Sequence, residues 1–401
     1  MPLTLADISA AAARIRSSVA VTPCPASVAL SLIAGCEIHC KLDYLQRTGS
    51  FKERGARNAL SLLTDDQKQR GVIAASAGNH ALALAYHAGL LRIPVTVVMP
   101  IHAPLMKVAN CRALGATILQ HGMTIADAAE LAHQLEAERG FTYINGFDDA
   151  AIIAGQGTMG VEILEQVPDC DAILVPIGGG GLIAGIALAV KTVKPQVQII
   201  GVEPENAASF VAAMQAGKPV RIQTRPTLAD GLAVPRVGDR AFAVAMPLID
   251  RVVTVSEHAI AMAILRLVEL EKSVVEGAGA AGLAALIEGK LPFLRGKKVV
   301  LPLCGGNIDT PILGQILDRG LVADGRICRF ETAISDRPGG LARFASVLAE
   351  AGGSVRDITH DRAFAGDDIN QVNVRCVVET RDADHAKALR ECLIRAGYEL
   401  R

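Results

Sequence analysis

Short apolar runs alternate with helix-like segments over most of the chain, and this alternation restricts the possible folds more than any other feature. The strand-like runs are residues 71–75, 95–99, 117–119, 172–176, 198–202, 252–255 and 298–301. Several are apolar throughout, as strands buried on both faces of a sheet are. Helical crossovers join such strands in parallel sheets. The sequence therefore predicts an α/β fold, in which ligands gather at the carboxyl ends of the strands.

The pattern changes near residue 320. The later segments are an alternating strand-like run at 326–333, a loop at 336–340, a helix-like run at 341–348, strand-like runs at 354–360 and 370–379, and a helix-like run at 383–396. With a short final strand, this order is typical of a ferredoxin-like module. We therefore predict a first region at residues 1–322 and an α+β module at residues 323–401.

Composition excludes some classes of function. The net charge is −1 and aromatic residues make up 3% of the chain, so the basic excess and the stacking platforms of nucleic-acid-binding proteins are missing. No apolar run has the length of a membrane span, and the first residues lack the layout of a signal peptide. The nine cysteines form no CxxC pair. We therefore expect reduced thiols in a cytoplasmic protein.

Lys52 lies in the stretch SFKERG, near a junction between a loop and a helix-like run. The positive end of a helix dipole and burial both disfavour an ammonium group. A lysine shifted in this way can be a neutral amine, and a neutral amine can form a Schiff base. The alternative, taken on this stretch alone, is an ordinary solvated lysine at a helix start.

Four consecutive glycines, Gly178 to Gly181, follow the strand-like run at 172–176 and open a helix-like segment. Their exposed backbone N–H groups at a helix N-terminus form an anion site, most simply for phosphate. The same residues satisfy a dinucleotide fingerprint, with Glu203 about 20 residues further on as a ribose-binding acid. A nicotinamide-dependent enzyme is therefore an alternative, whereas no P-loop motif is present.

Three further clusters each allow a ligand-binding and a structural interpretation. In Ser76–His80, small residues permit close approach of a flat ligand and Asn79 can hydrogen-bond a ring substituent, or cap a helix. Cys304 follows a strand-like run and could present its sulfur to a ligand or be a buried hydrophobe. Glu276, among glycines, could lie beside a cofactor or cap a helix.

Together these clusters resemble the fold-type II pyridoxal-phosphate enzymes. The similarity rests on SFKxRG around Lys52, SAGNH at 76–80, GGGG at 178–181 and CGGN at 304–307, and it extends over about residues 5–318. The pattern is most similar to the threonine ammonia-lyases (threonine dehydratases), with serine dehydratases and serine racemases as near relatives. The resemblance implies a tryptophan synthase β-like catalytic region of two parallel α/β subdomains, the smaller one at roughly residues 50–150 inserted in the larger.

The resemblance also implies roles for individual residues. Lys52 would bind the cofactor covalently and act as the base at the substrate Cα, Asn79 would hydrogen-bond the ring hydroxyl, and Cys304 would face the ring nitrogen. The other implied cofactor contacts are Phe51, Gly178, Gly179, Gly180 and Gly181, with Glu276 near the ring. The implied substrate-binding residues are Ser76, Ala77, Gly78, Asn79 and His80.

The activity implied is β-elimination from L-threonine to 2-oxobutanoate and ammonia, and from L-serine to pyruvate. Serine or 3-hydroxyaspartate dehydratase and racemase activities of the same family are alternatives. Ala77 argues against racemisation, because racemase-like members carry a catalytic serine there. A nicotinamide-dependent dehydrogenase and a non-catalytic amino-acid sensor are alternatives of other classes.

The C-terminal module resembles an ACT domain, chiefly through DRPGGL at residues 336–341. This implies an amino-acid effector near Asp336, Gly339 and Gly340, feedback control in isoleucine biosynthesis, and a homo-oligomer, either dimer or tetramer. A module that only builds the oligomer is the alternative. Glu203 begins a segment similar to a divalent-cation site of some relatives, but Ser209 stands where an aspartate ligand is expected. Binding of a divalent or a monovalent cation is therefore left open.

Overall fold

The computed structural model describes residues 2–362 and 369–401, which form two compact units, residues 1–308 and 309–401. Helices of the first unit are α1 Leu5–Ile15, α2 Val28–Ala34, α3 Lys52–Ser61, α4 Asp65–Arg70, α5 Asn79–Leu91, α6 Leu105–Ala113, α7 Ile125–Arg139, α8 Ala150–Gln166, α9 Gly181–Val193, α10 Ser209–Ala216, α11 Asp239–Ala245, α12 Glu257–Glu271 and α13 Gly277–Ile287. Its strands are β1 Ala26–Ser27, β2 Glu37–Lys41, β3 Val72–Ala75, β4 Val95–Met99, β5 Thr117–Gln120, β6 Thr142–Tyr143, β7 Ala172–Pro176, β8 Gln198–Pro204, β9 Arg251–Val255 and β10 Lys298–Pro302.

Two sheets organise the first unit. The larger has the order β1-β2-β10-β7-β8-β9, in which all pairs are parallel except β1 with β2. The smaller has the order β5-β4-β3-β6 and is wholly parallel. Its strands lie between residues 72 and 143, inside the range predicted for the smaller subdomain. The predicted α/β class with two parallel subdomains is confirmed.

Burial explains why the strands could be recognised. Every residue of β4 and of β7 is buried, so both faces of these strands are covered and their sequences are continuously apolar. The carboxyl ends of β3, β7 and β10 lead directly into residues 76–80, 178–181 and 304–307. Three of the four predicted clusters therefore follow strand ends, as expected of ligand sites in parallel sheets.

The second unit contains the helices α14 Thr310–Ala323, α15 Gly340–Glu350 and α16 Ala383–Arg395 and the strands β11 Ile327–Ser335, β12 Ser354–Asp361 and β13 Gln371–Glu379. Its antiparallel sheet has the order β11-β13-β12. The predicted final strand is limited to a backbone pair between Arg401 and Glu331. The predicted α+β module is confirmed, whereas its limits at 322 and 323 stay a prediction.

Alternation in β11 and β13 buries every second side chain on one face, where Phe330 and Val374 pack with Phe344 of α15 and Leu389 of α16. This face is the core of the second unit. Across the described parts of both units, no helix is at once long enough and apolar enough to cross a membrane.

Candidate active site

Lys52 begins α3, as its loop-to-helix position predicted. The backbone N–H of the preceding residue, Phe51, donates to the carbonyl of Cys304 at 2.9 Å, and Ser50 forms a bridge with Gly305. The lysine loop is therefore joined directly to the end of β10. The Lys52 Nζ donates to the carbonyl oxygen of Gly146 at 2.7 Å.

Burial lowers the pKa of Lys52 to about 8, although the nearby acidic groups of Cys304 and Glu276 act to raise it. The amine is therefore neutral in a much larger fraction of molecules near pH 8 than a solvated lysine would be. A neutral amine is what a nucleophile or a base requires.

Asn79, the first residue of α5, is held at both ends of its carboxamide. Its Nδ2 donates to Glu276 Oε1 at 2.7 Å, and its Oδ1 accepts from Asn307 Nδ2 at 2.8 Å. Burial raises the pKa of Glu276 to about 7, although the hydrogen bond from Asn79 acts in the opposite direction. Glu276 occupies the N-cap position of α13, but its side chain bonds Asn79 instead of capping that helix. Neither Glu276 nor Asn79 therefore caps a helix through its side chain, which was the structural alternative for each.

The four glycines form a cradle of backbone N–H groups at the start of α9. Gly180 has φ +90°, a conformation that favours glycine, and a Cβ at Gly179 would overlap the Phe147 ring. The first-turn N–H groups of a helix have no intrahelical acceptor. In the described structure no acceptor takes the N–H of Gly178, Gly179 or Gly180 either. Donors of this kind at a helix N-terminus suit a phosphate group.

The remaining predicted residues line the same region. Ser76 Oγ accepts from the N–H of Gly78 at 3.3 Å, and a Cβ at Gly78 would meet no atom within 4 Å, so the turn borders open space. Burial lowers the pKa of His80 to about 4, with the charge of Lys52 acting in the same direction, so His80 is neutral. Burial raises the pKa of the Cys304 thiol well above its usual value, so Cys304 is a neutral group beside the lysine.

A buried ionic cluster joins α3, the helix that begins at Lys52, to α8. Arg54 is fully buried, and its guanidinium donates to both carboxylate oxygens of Asp43 at 2.7 Å and to Glu162 at 2.6 and 2.8 Å. Lys41 joins the same Glu162 at 2.5 Å. Two cations are therefore balanced by two carboxylates, which fixes α3 against α8 two residues beyond Lys52.

One functional segment was not predicted from the sequence: the loop between β6 and α8, residues 144–149. This loop supplies the carbonyl that contacts Lys52 and the Phe147 ring that packs on Gly179. It also follows a parallel strand, so its position obeys the same strand-end rule. β6 has only two residues, however, and so short a strand leaves no apolar run to recognise. The signal that could have found the loop is its NGFDD sequence directly before a helix.

Glu203 lies apart from this cluster. Its carboxylate is buried and accepts from the N–H groups of Phe210 at 2.8 Å and Val211 at 2.9 Å in α10, and burial raises its pKa to about 7. Glu203 is therefore not a solvent-exposed acid, because its side chain bonds the start of α10. Both of its carboxylate oxygens are bonded within the protein, so Glu203 is not available to bind a ribose. In residues 2–362 and 369–401, no group of three His, Cys, Asp or Glu is arranged to hold a metal ion.

The predicted regulatory residues lie at the β11–α15 turn of the second unit. Asp336 accepts two hydrogen bonds from Arg362 Nε, each of 3.1 Å. Gly339 has φ +88°, and a Cβ at Gly340 would overlap the carbonyl oxygen of Ser335. The turn therefore requires its glycines for steric reasons, whatever it binds.

Comparison with protein families assigns the class. A family model described as "Pyridoxal-phosphate dependent enzyme" matches residues 15–305, and one described as "ACT domain" matches residues 332–391. The chain belongs to the pyridoxal-phosphate dependent enzyme family and carries a C-terminal ACT domain. The site fits that cofactor, because a lysine of lowered pKa, a fixed carboxamide and a glycine loop whose backbone N–H groups can bind a phosphate lie together in it.

Within that family, the full length of the chain is similar to proteins named "L-threonine ammonia-lyase". The one from Thermotoga maritima is 42% identical over 100% of this chain and 99% of its own length, and the one from Geobacter sulfurreducens is 43% identical over 99% and 98%. An Escherichia coli K12 protein named a catabolic L-threonine dehydratase is 41% identical over 79% of this chain and 96% of its own length.

Solved structures agree on the fold. The processed form of threonine deaminase isoform 2 from Solanum lycopersicum covers 80% of this chain and 95% of its own, with a TM-score of 0.75 and 35% identity. Maize serine racemase covers 80% of this chain and 99% of its own, with the same TM-score and identity. The predicted fold-type II catalytic region is confirmed.

Proposed function

We propose that this protein is a threonine ammonia-lyase, which converts L-threonine to 2-oxobutanoate and ammonia, and acts on L-serine to give pyruvate. The observation that carries the proposal is that Lys52, the Asn79 turn and the glycine cradle meet around the loop after β6 and the loop after β10. Similarity over the full length to L-threonine ammonia-lyases supports the choice of substrate.

The protein supplies orientation and proton transfer. Pyridoxal phosphate, when bound, supplies an aldehyde that joins the substrate amino group and a ring that withdraws electrons from Cα. The N–H groups of Gly178–Gly181 would hold its phosphate, and Asn79 and Cys304 would contact its ring. Because Cys304 is a neutral thiol, it does not hold the ring nitrogen protonated as an aspartate would. This suits elimination, where the leaving group carries away the developing charge.

The Lys52 amine takes the proton from the substrate Cα as a general base. The N–H groups of Ala77, Asn79 and His80, near the start of α5, would bind the substrate carboxylate, and neutral His80 adds no charge there. The β-hydroxyl gains a proton, which balances the one taken from Cα, and leaves as water. The released enamine becomes an imine, which one water hydrolyses to 2-oxobutanoate and ammonia. Ala77 offers no ionisable group, so no second base is available at that position, which favours elimination over racemisation.

Other substrates of the same chemistry define the second candidate. Serine and 3-hydroxyaspartate differ from threonine by a methyl group or a carboxylate, and maize serine racemase shares the fold. A hydrophobic pocket distinguishes two substrates that differ by one methyl group by only about 10- to 200-fold in kcat/KM. Ketoacid formation from each substrate, compared by kcat/KM, identifies the preferred one; racemisation of serine faster than its elimination would favour the racemase candidate.

Lys52→Ala tests the main proposal. We expect the wild-type protein to show a visible absorption band with pyridoxal phosphate, and borohydride reduction to leave the label on Lys52. The variant should lose the band and at least about 1,000-fold in 2-oxobutanoate formation, because anchor and base are lost together. A variant that keeps both the band and the turnover would refute the proposal. Lys68→Ala, which removes a partly exposed lysine of α4 that pairs with Asp65, is the matched control.

We further propose that the enzyme is a cytoplasmic homo-oligomer under amino-acid control. All nine cysteines are free thiols, which supports a cytoplasmic location. The ACT domain supports an amino-acid effector, allosteric control in isoleucine biosynthesis, and a homo-oligomer. Mass measurement in solution, with and without isoleucine, tests the oligomer and its response to the effector.

A further inference from the structure

The contact between Lys52 and Gly146 joins the reactive amine to a loop with no other assigned role. The Lys52 Nζ donates to the Gly146 carbonyl at 2.7 Å. An amine that donates an N–H in this way keeps its nitrogen lone pair free for attack. A carbonyl is also uncharged, so it stabilises an ammonium less than a carboxylate would. The geometry thus suits an amine that must remain reactive.

This carbonyl lies in residues 145–149 of the loop between β6 and α8, called the 145–149 loop below. Its own side chains anchor it. Asn145 Oδ1 accepts from the N–H groups of Phe147 at 3.0 Å and Asp148 at 2.9 Å, which closes a turn around Gly146. Asp149 caps α8 by accepting from two of its N–H groups. Asp148 accepts from two N–H groups at the start of α11. Both ends of the turn are therefore fixed.

Neighbouring groups leave the carbonyl little freedom. A Cβ at Gly146 would lie 3.0 Å from the His80 ring, whose Nε2 bonds the Ile144 carbonyl at 3.0 Å. On the other side, the Phe147 ring packs on Gly179 of the cradle. One short loop thus sets the separation between the reactive amine and the phosphate-binding glycines.

We propose that the Gly146 carbonyl is the docking acceptor of the Lys52 amine whenever that amine is not bonded to the cofactor. The 145–149 loop is then a positioning element, which rests on the proposed function because it presumes that Lys52 carries the cofactor. A free lysine side chain samples many rotamers. Docking confines it to positions near the reacting carbon, which speeds a step between groups already held in one site.

The test separates covalent attachment from cofactor binding. Full-length cofactor-free protein is mixed with pyridoxal phosphate at pH 9, where the Lys52 amine, with its pKa of about 8, is mostly neutral. The amine and the aldehyde condense with loss of one water, and the visible band reports the rate. Affinity for pyridoxine 5′-phosphate, which has no aldehyde, reports non-covalent binding.

Two variants disturb the carbonyl in different ways. Gly146→Ala adds a Cβ that crowds the His80 ring and so displaces the carbonyl. Asn145→Ala removes the oxygen that closes the turn. Each should slow the condensation at least about tenfold at fixed cofactor concentration and leave pyridoxine 5′-phosphate affinity within about twofold, since docking affects orientation alone. Asn145→Asp, which keeps an acceptor oxygen for the turn, should recover most of the rate. Gly314→Ala, where a Cβ meets no atom within 4 Å, is the control.

Each outcome decides the proposal. Variants that condense as fast as the wild type overturn it, and so does a parallel loss of rate and affinity, which would mean that the loop only shapes the pocket. If circular dichroism shows that Gly146→Ala does not fold, the comparison of Asn145→Ala with Asn145→Asp decides whether the proposal holds. A wild-type protein that forms no band at all would instead refute the proposed function, and the docking role with it.

Discussion

At the residue scale, Glu276 links folding to pH. Its pKa is about 7 in the folded protein and 4.5 in the reference state. Between these values the folded protein holds a proton that the unfolded chain has lost, so stability falls as pH rises through this window. Above pH 7 the carboxylate is charged in both states, and the full cost of burying that charge, about 3 kcal/mol at 1.36 kcal/mol per pKa unit, is present.

Glu276→Gln should therefore stabilise the cofactor-free protein at pH 8 by up to about 3 kcal/mol, and the gain should shrink towards pH 5. Glutamine keeps an oxygen that accepts from Asn79 Nδ2, so the local hydrogen bond survives. Urea unfolding at both pH values measures the difference. Glu205→Gln, at an exposed position, should change stability little at either pH. An equal gain at pH 5 and pH 8 would show that ionisation is not the cause.

At the element scale, the glycine cradle and the 145–149 loop form one packed unit. Gly179→Ala would push a methyl group into the Phe147 ring, and we expect at least tenfold weaker binding of pyridoxine 5′-phosphate because the cradle must shift. Phe147→Ala makes room for that methyl, so the double variant should bind more tightly than Gly179→Ala alone. Additive losses in the double-mutant cycle would contradict this packing.

The same elements show what the sequence could and could not predict. β7 and β10 are apolar enough to be recognised, so the residues after them were found. The loop after β6 was missed, because a two-residue strand has no periodicity. The Asn79–Glu276 bond joins residues 197 positions apart, and no local pattern encodes such a pairing. The burial of Glu203 was not predicted, because its partners are backbone N–H groups, which no residue pattern marks.

At the scale of the whole molecule, the ACT domain is the part that we expect to control the turnover of threonine. The E. coli relative covers 79% of this chain, which leaves about a fifth without counterpart, close to the size of the second unit. A protein named for the same activity therefore matches only about four-fifths of this chain, and we expect regulation or assembly to be the role of the ACT domain. Regulation requires two states that bind the effector differently.

We expect isoleucine or valine to change kcat/KM for threonine at least about fivefold in the full-length protein, the lower end of usual coupling between sites. Gly340→Ala should abolish the response while leaving turnover without effector within about twofold, because the added methyl would overlap the Ser335 carbonyl in the second unit alone. Gly314→Ala is the control, since its methyl meets no neighbour. Effector binding by calorimetry without any change in turnover would leave assembly, not regulation, as the role of the domain.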